Sequence, residues 1–326
     1  MRRETGLSQD VSELPDALAA TLDARDGVAE VAALLGGAGR IVATGNGAAY
    51  YVAVALWLAS LEGPAGPEVV AAPSGLVARG AFRWRPGDAL LAISSSGEFR
   101  DLVEAIDDQR AYAAITATPD STLGSRAAAR ALVTVLNQRA VTHTQAFCGA
   151  VATALAVWAE VTDDAGLRDA LSRAPHQTGA AIDAAPGWAD GADGLDAPLA
   201  VAFGSGPAWA AALEAALLLK EVAGVPAEGV ETREGATSAM MALQPGHLVL
   251  SLPTGDDPLV DEAEDACRAR GATVLRAPAV EGADRRLATI TTLPAAVALS
   301  ARIGVERGLD VDRPAWLDDY YRVARA

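Results

Sequence analysis

The sequence contains one pattern twice, and this repeat constrains the fold more than any other feature. The segment RIVATGNGAAYYVAVALWLASLEG, which begins at Arg40, resembles LAVAFGSGPAWAAALEAALLLKEVAG, which begins at Leu199. A second, weaker match pairs LAISSSGEFRDLVEAI with LSLPTGDDPLVDEAED, in the same order along the chain. The glycines of the two motifs match at offsets of 159 and 158 residues. Two motifs that recur in one order at nearly one spacing predict a chain of two similar halves.

Each half predicts an α/β unit. In the first half, the short apolar runs RIVATG, PEVVAA, ALLAIS, AAITAT and ALVTVL are typical of buried strands, and helical patterns or loops separate them. Strands rich in Val, Ile, Ala and Leu that alternate with helices indicate a parallel sheet covered on both faces. We therefore predict two doubly wound parallel sheets, each flanked by helices in a three-layer αβα domain.

The repeat also predicts where the domains begin and end. Helical patterns precede the first strand, and the segment APGWADGADGLDAP between the two copies is rich in Gly, Asp and Pro, as linkers are. The predicted order is N-terminal helices over 1–35, a first domain over 36–184, a linker over 185–198, and a second domain with a C-terminal tail over 199–326.

Composition argues against several classes of protein. The net charge of −16, from 42 acidic and 26 basic residues, disfavours a nucleic-acid partner, because phosphate backbones require a basic face. Charges, Gly or Pro interrupt the apolar runs before they reach the roughly 18 residues that a membrane span needs, and the N-terminus lacks the apolar stretch of a signal peptide. The two cysteines, Cys148 and Cys267, lie in helical patterns, which favours reduced thiols. We expect a cytoplasmic protein with no membrane partner.

Three serines and a glycine lie on a turn between a predicted strand and a predicted helix. The first N–H groups of a helix lack partners, and the helix dipole makes that end positive. Hydroxyls and amides that converge there suit an anion such as phosphate. The alternative is that the serines cap the helix. The residues of this serine turn are Ser94, Ser95, Ser96 and Gly97.

A glycine turn formed by Gly45, Asn46 and Gly47 follows the first predicted strand. Since the carboxyl ends of parallel strands share one edge of a sheet, both turns can face one pocket there. The turn holds only two glycines of a dinucleotide fingerprint, and Glu68 precedes the second strand, whereas a ribose-binding acid would end it. The sequence has no Walker lysine pattern and no metal-ligand spacing of Cys, His and carboxylates. We predict no cofactor and no metal.

A glycine turn that opens a long apolar helix, followed by S-x-S-G on the next strand-to-helix turn, with the whole pattern given twice, resembles the tandem sugar isomerase (SIS) domain family. The resemblance runs from ELPDAL at Glu13 to GLDVDRP at Gly308. It includes the isomerase half of glucosamine-6-phosphate synthase and the sugar-phosphate isomerases, deaminases and deglycases. It implies a small-molecule ligand, a sugar phosphate or amino sugar, and a homodimer that builds its pockets from two chains.

The resemblance implies that the serine turn holds the phosphate of a sugar phosphate. The family places Ser or Thr two residues after the glycine of this turn, where Phe99 stands, and a serine in the glycine turn, where Ala49 stands. Two polar contacts are therefore missing. In AVTHTQAF, a loop that leads into a helix, the resemblance makes Thr142, His143 and Thr144 contacts of the sugar hydroxyls.

The segment ALLLKE resembles the family's catalytic helix, and its last residue, Glu221, is thereby implied as the base that moves a proton between C1 and C2 of an open-chain sugar. Leu218 stands where the synthase has a lysine. TREGATSAM resembles the segment whose histidine assists ring opening from the neighbouring subunit, and this chain has Glu234 there. A carboxyl group can do so only when burial or a carboxylate such as Glu231 favours its acid form. His143 is the alternative ring-opening group, because an imidazole titrates near neutral pH.

Together these residues predict an enzyme of phosphosugars or aminosugar phosphates that isomerises, deaminates or deglycates by proton transfer. Glutamine-dependent synthesis is not expected, because the chain has no N-terminal nucleophilic cysteine and Asp319 stands nearest to the synthase's Schiff-base lysine. Two alternatives stay open. One is a sugar-phosphate sensor that performs no chemistry, which Phe99 and Leu218 favour. The other is an enzyme for a specialised amino sugar whose apolar part stacks on Phe99.

Overall fold

The computed structural model describes residues 4–106, 111–192, 194 and 196–324. Helices and strands alternate along most of this length. The strands are β1 (Arg40–Gly45), β2 (Glu68–Pro73), β3 (Asp88–Ile93), β4 (Tyr112–Thr116), β5 (Ala129–Leu132), β6 (Ala200–Gly204), β7 (Ala227–Glu231), β8 (Leu248–Leu252) and β9 (Thr273–Arg276). The α-helices are α1 (Gly6–Ser12), α2 (Leu14–Ala24), α3 (Val28–Gly36), α4 (Ala48–Ser60), α5 (Ser74–Ala78), α6 (Arg100–Ala105), α7 (Thr122–Arg126), α8 (Thr144–Val161), α9 (Ala165–Ala189), α10 (Ala208–Glu221), α11 (Thr232–Thr237), α12 (Pro258–Ala269), α13 (Ala288–Glu306) and α14 (Leu317–Ala324).

The first sheet contains β1 to β5, all parallel, in the order β2-β1-β3-β4-β5. Its strands β1 and β4 are buried along their whole length, which explains why their sequences are mostly apolar. The last strand, β5, starts and ends earlier than the run 131–136 predicted from the sequence. The reason is that the Thr134 N–H donates to the hydroxyl of Thr21 in α2, so the chain leaves the sheet there.

The second sheet contains β6 to β9, all parallel, in the order β7-β6-β8-β9. This is the order that the first four strands adopt in the first sheet. Its strands β6 and β8 are fully buried. The predicted α/β fold, with two parallel sheets flanked by helices, is confirmed.

Both glycine turns require glycine as the last residue of the strand. A Cβ added to Gly45 would lie 2.7 Å from the carbonyl oxygen of Ala49, and one added to Gly204 would lie 2.2 Å from that of Ala208. The helix after each strand therefore packs directly on the strand end. This close approach explains why both copies of the repeat have the glycine.

Contacts divide the described chain into two compact units, which we name after their sheets. The second-sheet unit comprises the chain up to Pro15, Asn137–His143 and His176–Ala315, and the first-sheet unit comprises Asp16–Leu136, Thr144–Pro175 and the chain from Trp316. These bounds differ from the domain boundaries expected from the sequence, which stay a prediction.

The segment 185–198, predicted as a linker, begins inside a helix. α9 continues to Ala189, because Ala185 and Ala189 are both buried and packing extends the helix past Pro186. Asp193 and Leu195 of this segment lie outside the described residues.

Two helical segments are long and apolar enough to span a membrane by composition alone, Thr144–Val161 and Arg285–Glu306. The sequence was expected to contain no run of this length, but neither Gly149 nor Pro294 breaks its helix. The protein buries 89% of the first and 78% of the second, as it would bury core helices. Length and composition are therefore weak support for a membrane span.

Candidate functional site

In the first-sheet unit, the glycine turn and the serine turn lie at the same edge of the sheet. β1 and β3 are neighbours, and Thr44 pairs with Ala92, so the chain leaves both strands side by side at their carboxyl ends. In the glycine turn, Asn46 is exposed and Gly47 has a φ of 54°, in the left-handed region. Open α/β sheets bind ligands at this edge.

A hydrogen bond within the serine turn joins its first and last residues. The Gly97 N–H donates to Ser94 Oγ over 3.0 Å, and both residues are buried. The hydroxyls of Ser95 and Ser96 are partly exposed instead, and these two can meet a ligand. The alternative that the serines cap the next helix does not hold, because the N-cap of α6 is Phe99, which makes no side-chain cap.

Asp101, which the sequence analysis did not single out, ties three strand ends together in the first-sheet unit. Its Oδ2 accepts hydrogen bonds from Asn46 Nδ2 over 2.7 Å and from Ser74 Oγ over 2.5 Å. Its Oδ1 accepts from the N–H of Leu102 over 3.1 Å. Asn46, Ser74 and Asp101 follow β1, β2 and β3 respectively, so this carboxylate fixes the turns at the ligand-binding edge. Acidic residues are common in the first turn of a helix, so the sequence can place Asp101 near a helix start but does not identify its hydrogen-bond partners.

Phe99 lies in an aromatic cluster next to the serine turn. Its ring centroid is 6.1 Å from that of Tyr320, in an edge-to-face arrangement, and Trp316 is 5.5 Å from Tyr320. Phe99 also packs on the core around Leu102 and Leu123. Phe99 is thus held in an apolar environment by α14 and α6.

Glu221 is the last residue of α10, and burial raises its pKa to about 7. α10 packs against β6, β7, β8 and α13, so most of its surface contacts protein and not water. The charge of Lys220 acts in the opposite direction and is the weaker effect. A carboxyl group that titrates near neutral pH can both take and return a proton.

Glu214 lies two helical turns before Glu221 on the same face of α10, and the sequence analysis missed it. It is 5% exposed, and its Oε2 has no hydrogen-bond partner among the described residues. Burial, and secondarily the charge of Glu221, raise the pKa of Glu214 well above its ordinary range. The buried Leu218 lies between them, where a lysine would supply a countercharge. The structure therefore favours the protonated form of Glu214.

Glu221 and Glu234 lie at opposite edges of the second sheet. α10 starts beyond the carboxyl end of β6 and runs back for 14 residues, roughly 20 Å, to the amino edge. Glu234 belongs to α11, which follows the carboxyl end of β7. It is exposed, and the Glu231 carboxylate accepts the N–H groups of Arg233 and Glu234 as the helix cap. The first condition stated for ring opening by Glu234, burial, is therefore not met.

The loop that contains His143 presents buried hydroxyls without partners. His143 Nε2 lies 2.6 Å from the side-chain amide nitrogen of Gln138. Thr142 and Thr144 are buried, and their Oγ1 atoms have no hydrogen-bond partner in the described chain. A ligand hydroxyl could satisfy such groups. Thr142 and His143 belong to the second-sheet unit, and Thr144 belongs to the first-sheet unit.

The predicted site residues are thus divided between the two units. The first-sheet unit contains both turns and Phe99, whereas the second-sheet unit contains Glu221 and Glu234. Among the described residues, no group of three or more His, Cys, Asp or Glu could hold a metal ion. Cys148 and Cys267 are buried thiols, and burial raises the pKa of Cys267 to about 11.

A scan against protein-family models finds no match. The glutamine–fructose-6-phosphate aminotransferase (isomerizing) of Aeropyrum pernix is 27% identical to this chain over 348 residues. The alignment covers 94% of this chain, which spans 55% of the length of that relative.

Solved structures share the fold over nearly the whole chain. A Silicibacter pomeroyi protein, provisionally assigned as a phosphosugar isomerase, has a TM-score of 0.81 at 25% identity and covers 95% of this chain and 100% of its own. The C-terminal domain of glucosamine-fructose-6-phosphate aminotransferase from Francisella tularensis has a TM-score of 0.83 at 17% identity, and the Thermotoga maritima glucosamine-6-phosphate deaminase has 0.76 at 19%. These two cover 95% of this chain and 99% and 98% of their own, and they show the fold alone. The chain is thus similar in sequence to the Aeropyrum pernix aminotransferase and shares its fold with the three solved structures.

Proposed function

We propose that this chain is an enzyme that moves a proton between C1 and C2 of an open-chain sugar phosphate or aminosugar phosphate, with Glu221 as the base. The observation that carries the proposal is the pKa of Glu221, about 7, at the end of a buried helix in a fold shared with phosphosugar isomerases. A base whose pKa lies near the working pH is largely in its deprotonated form and is still basic enough to take the proton.

For an aldose phosphate, the Glu221 carboxylate takes the proton from C2, and the electrons of that bond form the C1–C2 double bond. The C1 carbonyl oxygen gains a proton and becomes a hydroxyl, which gives an enediol. The Glu221 acid then returns its proton to C1, while O2 loses its proton and becomes the ketone oxygen. Deamination or deglycation would use the same proton transfer on an imine, and water would then hydrolyse that imine.

The other roles extend this proposal. The partly exposed hydroxyls of Ser95 and Ser96 would bind the anionic group, and His143 or Glu234 would assist ring opening. Glu234 lies at the opposite edge of the second sheet from Glu221, which favours its acting from a second copy in a homodimer. We also propose a tandem pair of SIS domains over 36–184 and 199–326, in a cytoplasmic protein.

Isotope exchange tests the function. A panel of hexose, hexosamine and fructosamine 6-phosphates is incubated with the protein in D2O, and NMR follows deuterium incorporation at C1 and C2. We expect incorporation into at least one member, which Glu221→Gln abolishes. Glu228→Gln is the matched control, because Glu228 is exposed on β7 and its loss should leave the rate unchanged. Exchange that persists in Glu221→Gln would remove Glu221 from the reaction.

A sugar-phosphate sensor is the second candidate, favoured by the aromatic cluster at Phe99 and by the missing countercharge at Leu218. A thermal-shift screen of the same panel separates the two. A ligand at 100 times its dissociation constant stabilises a protein by about 2.7 kcal/mol. Binding without isotope exchange for any member would favour the sensor.

A further inference from the structure

The loop Asn137–His143 is held through three consecutive backbone N–H groups in the second-sheet unit. The carboxylate of Asp10, in α1, accepts from the N–H of Arg139 over 2.7 Å and from that of Ala140 over 2.9 Å. The next N–H, of Val141, donates to the carbonyl oxygen of Asp312 over 2.9 Å. Asp10 is 2% exposed, whereas Arg139 and the residues just before it are exposed.

The same acceptors fix α1 itself. The Asp312 carboxylate accepts the N–H groups of Gly6 and Leu7, at the start of α1, over 2.8 and 2.7 Å. These N–H groups have no partner within the helix, so the carboxylate is the N-terminal anchor of α1. The segment after α13 therefore holds the start of α1, and the middle of α1 holds the loop.

Ion pairs complete the arrangement. Arg139 Nη1 lies 2.9 Å from Asp10 Oδ1, which gives the buried carboxylate a countercharge. Glu13, one turn further along the chain from Asp10, accepts from Arg139 Nη2 and from Asn137 Nδ2, each over 2.7 Å. The bonds of Glu13 reach only side chains of the loop, whereas Asp10 also accepts hydrogen bonds from the backbone of the loop.

The held backbone leads directly into Thr142 and His143. With the peptide groups of 139, 140 and 141 fixed in succession, the direction in which these two side chains leave the chain is fixed as well. A displacement of about 1 Å at a reacting group can reduce a rate by about a hundredfold. Asp10, a buried acid that is distant in sequence from Thr142 and His143, would then affect the rate of the reaction.

We propose that Asp10 is a positioning residue: through the backbone of Arg139 and Ala140 it sets the place of Thr142 and His143. The effect on catalysis rests on the proposed function, in which His143 assists ring opening. The placement of the loop by Asp10 is independent of the proposed function.

Hydrogen exchange tests the placement. In Asp10→Ala, the amide hydrogens of Arg139 and Ala140 should exchange at least about tenfold faster, because they lose their acceptor. Asp10→Asn keeps one side-chain oxygen and should restore most of the protection. Glu13→Gln is the matched control and should leave both amides unchanged. Asp10→Ala should also shift the NMR signals of the His143 ring, whereas Asp10→Asn and Glu13→Gln should not. If Asp10→Ala does not fold, Asp10→Ser takes its place, because the serine oxygen is one bond closer to the backbone and cannot reach both N–H groups. Unchanged amide protection in Asp10→Ala, or unchanged His143 signals in all variants, would overturn the proposal.

Two substrates test the effect on catalysis. Glucose 6-phosphate is mostly ring-closed, whereas erythrose 4-phosphate stays open because its O4 carries the phosphate. Asp10→Ala should reduce deuterium exchange at C2 of the hexose phosphate at least about tenfold, and at C2 of the tetrose phosphate less than about twofold. An equal loss for both would mean general destabilisation and refute the positioning role. If the unaltered protein exchanges neither sugar, the proposed function fails, and hydrogen exchange and the His143 signals still test the placement.

Discussion

The raised pKa of Glu221 predicts that the protein gains stability when this residue is replaced by glutamine, but only at high pH. Burial raises the pKa from 4.5 to about 7. Because a difference of one in pKa corresponds to about 1.36 kcal/mol, the charged form destabilises the folded state by roughly 3 kcal/mol. Glutamine has the size of the acid form and carries no charge.

The direction of the pH dependence follows from where the proton is bound. Because the pKa in the folded state lies above that in the unfolded state, the stabilising contribution of the acid form is complete below about pH 4.5. It is lost as the pH rises through about 7. Glu221→Gln should therefore change the free energy of unfolding little at about pH 4.5 and increase it by up to about 3 kcal/mol at about pH 8.5.

Urea denaturation at both pH values, followed by circular dichroism, measures this difference. Glu228→Gln serves as the control, since Glu228 is exposed on β7 and its replacement removes the same charge from the surface of the same unit. A titration of the Glu221 carboxyl carbon by NMR gives the pKa directly. An equal stability change at both pH values, or a midpoint near 4.5, would refute the claim that burial sets the protonation of Glu221.

Three further predictions concern the same sites. The rate of proton transfer should rise with pH through about 7, because the base Glu221 must lose its proton; a rate that is flat between about pH 5 and 8 would contradict this. Asp101→Ala should reduce the free energy of unfolding by about 2 kcal/mol, because the buried Ser74 hydroxyl loses its acceptor, and a loss below about 0.5 kcal/mol in urea denaturation would show that the network contributes little. Phe99→Thr should strengthen the binding of sugar phosphates in calorimetry by adding a hydroxyl at the serine turn, whereas Tyr320→Ala, which keeps Phe99, should not; equal effects of both would mean that opening the aromatic cluster is what matters.

The sheets could be predicted from the sequence because their signals are local. The runs of β1, β3 and β6 are mostly apolar, with Arg40 and Thr44 in β1 and Asp88 in β3 as the polar exceptions, and this is typical of parallel strands covered on both faces. The glycines that end β1 and β6 repeat because a side chain there would clash with the following helix. Boundaries that depend on distant partners were less accessible, such as the end of β5, where the backbone of Thr134 bonds to Thr21, 113 residues away.

At the serine turn, the general preference of serine for helix caps predicts a hydrogen-bond partner that the structure does not show. Serines before a helix are good caps, so capping and anion binding were equally reasonable from the sequence. In the structure, Ser94 accepts the N–H of Gly97, three residues on, and the helix starts only after Phe99. The turn therefore uses the hydroxyl of Ser94 for its own geometry, whereas Ser95 and Ser96 stay partly exposed. Asp10 and Asp101 could not be predicted at all, because their partners lie 129 and 27 residues away.

Glu214 was the one functional candidate that the sequence alone could have revealed. A helix that is apolar on every side is buried on every side, and ALEAALLLKE has no polar face between Ala211 and Leu219 except this residue. A charged residue in such a helix cannot reach water, so its protonation must change or a countercharge must accompany it. Leu218 supplies none. The same argument applies to Glu221 at the helix end, where partial exposure makes the shift smaller and leaves the carboxyl group able to exchange its proton.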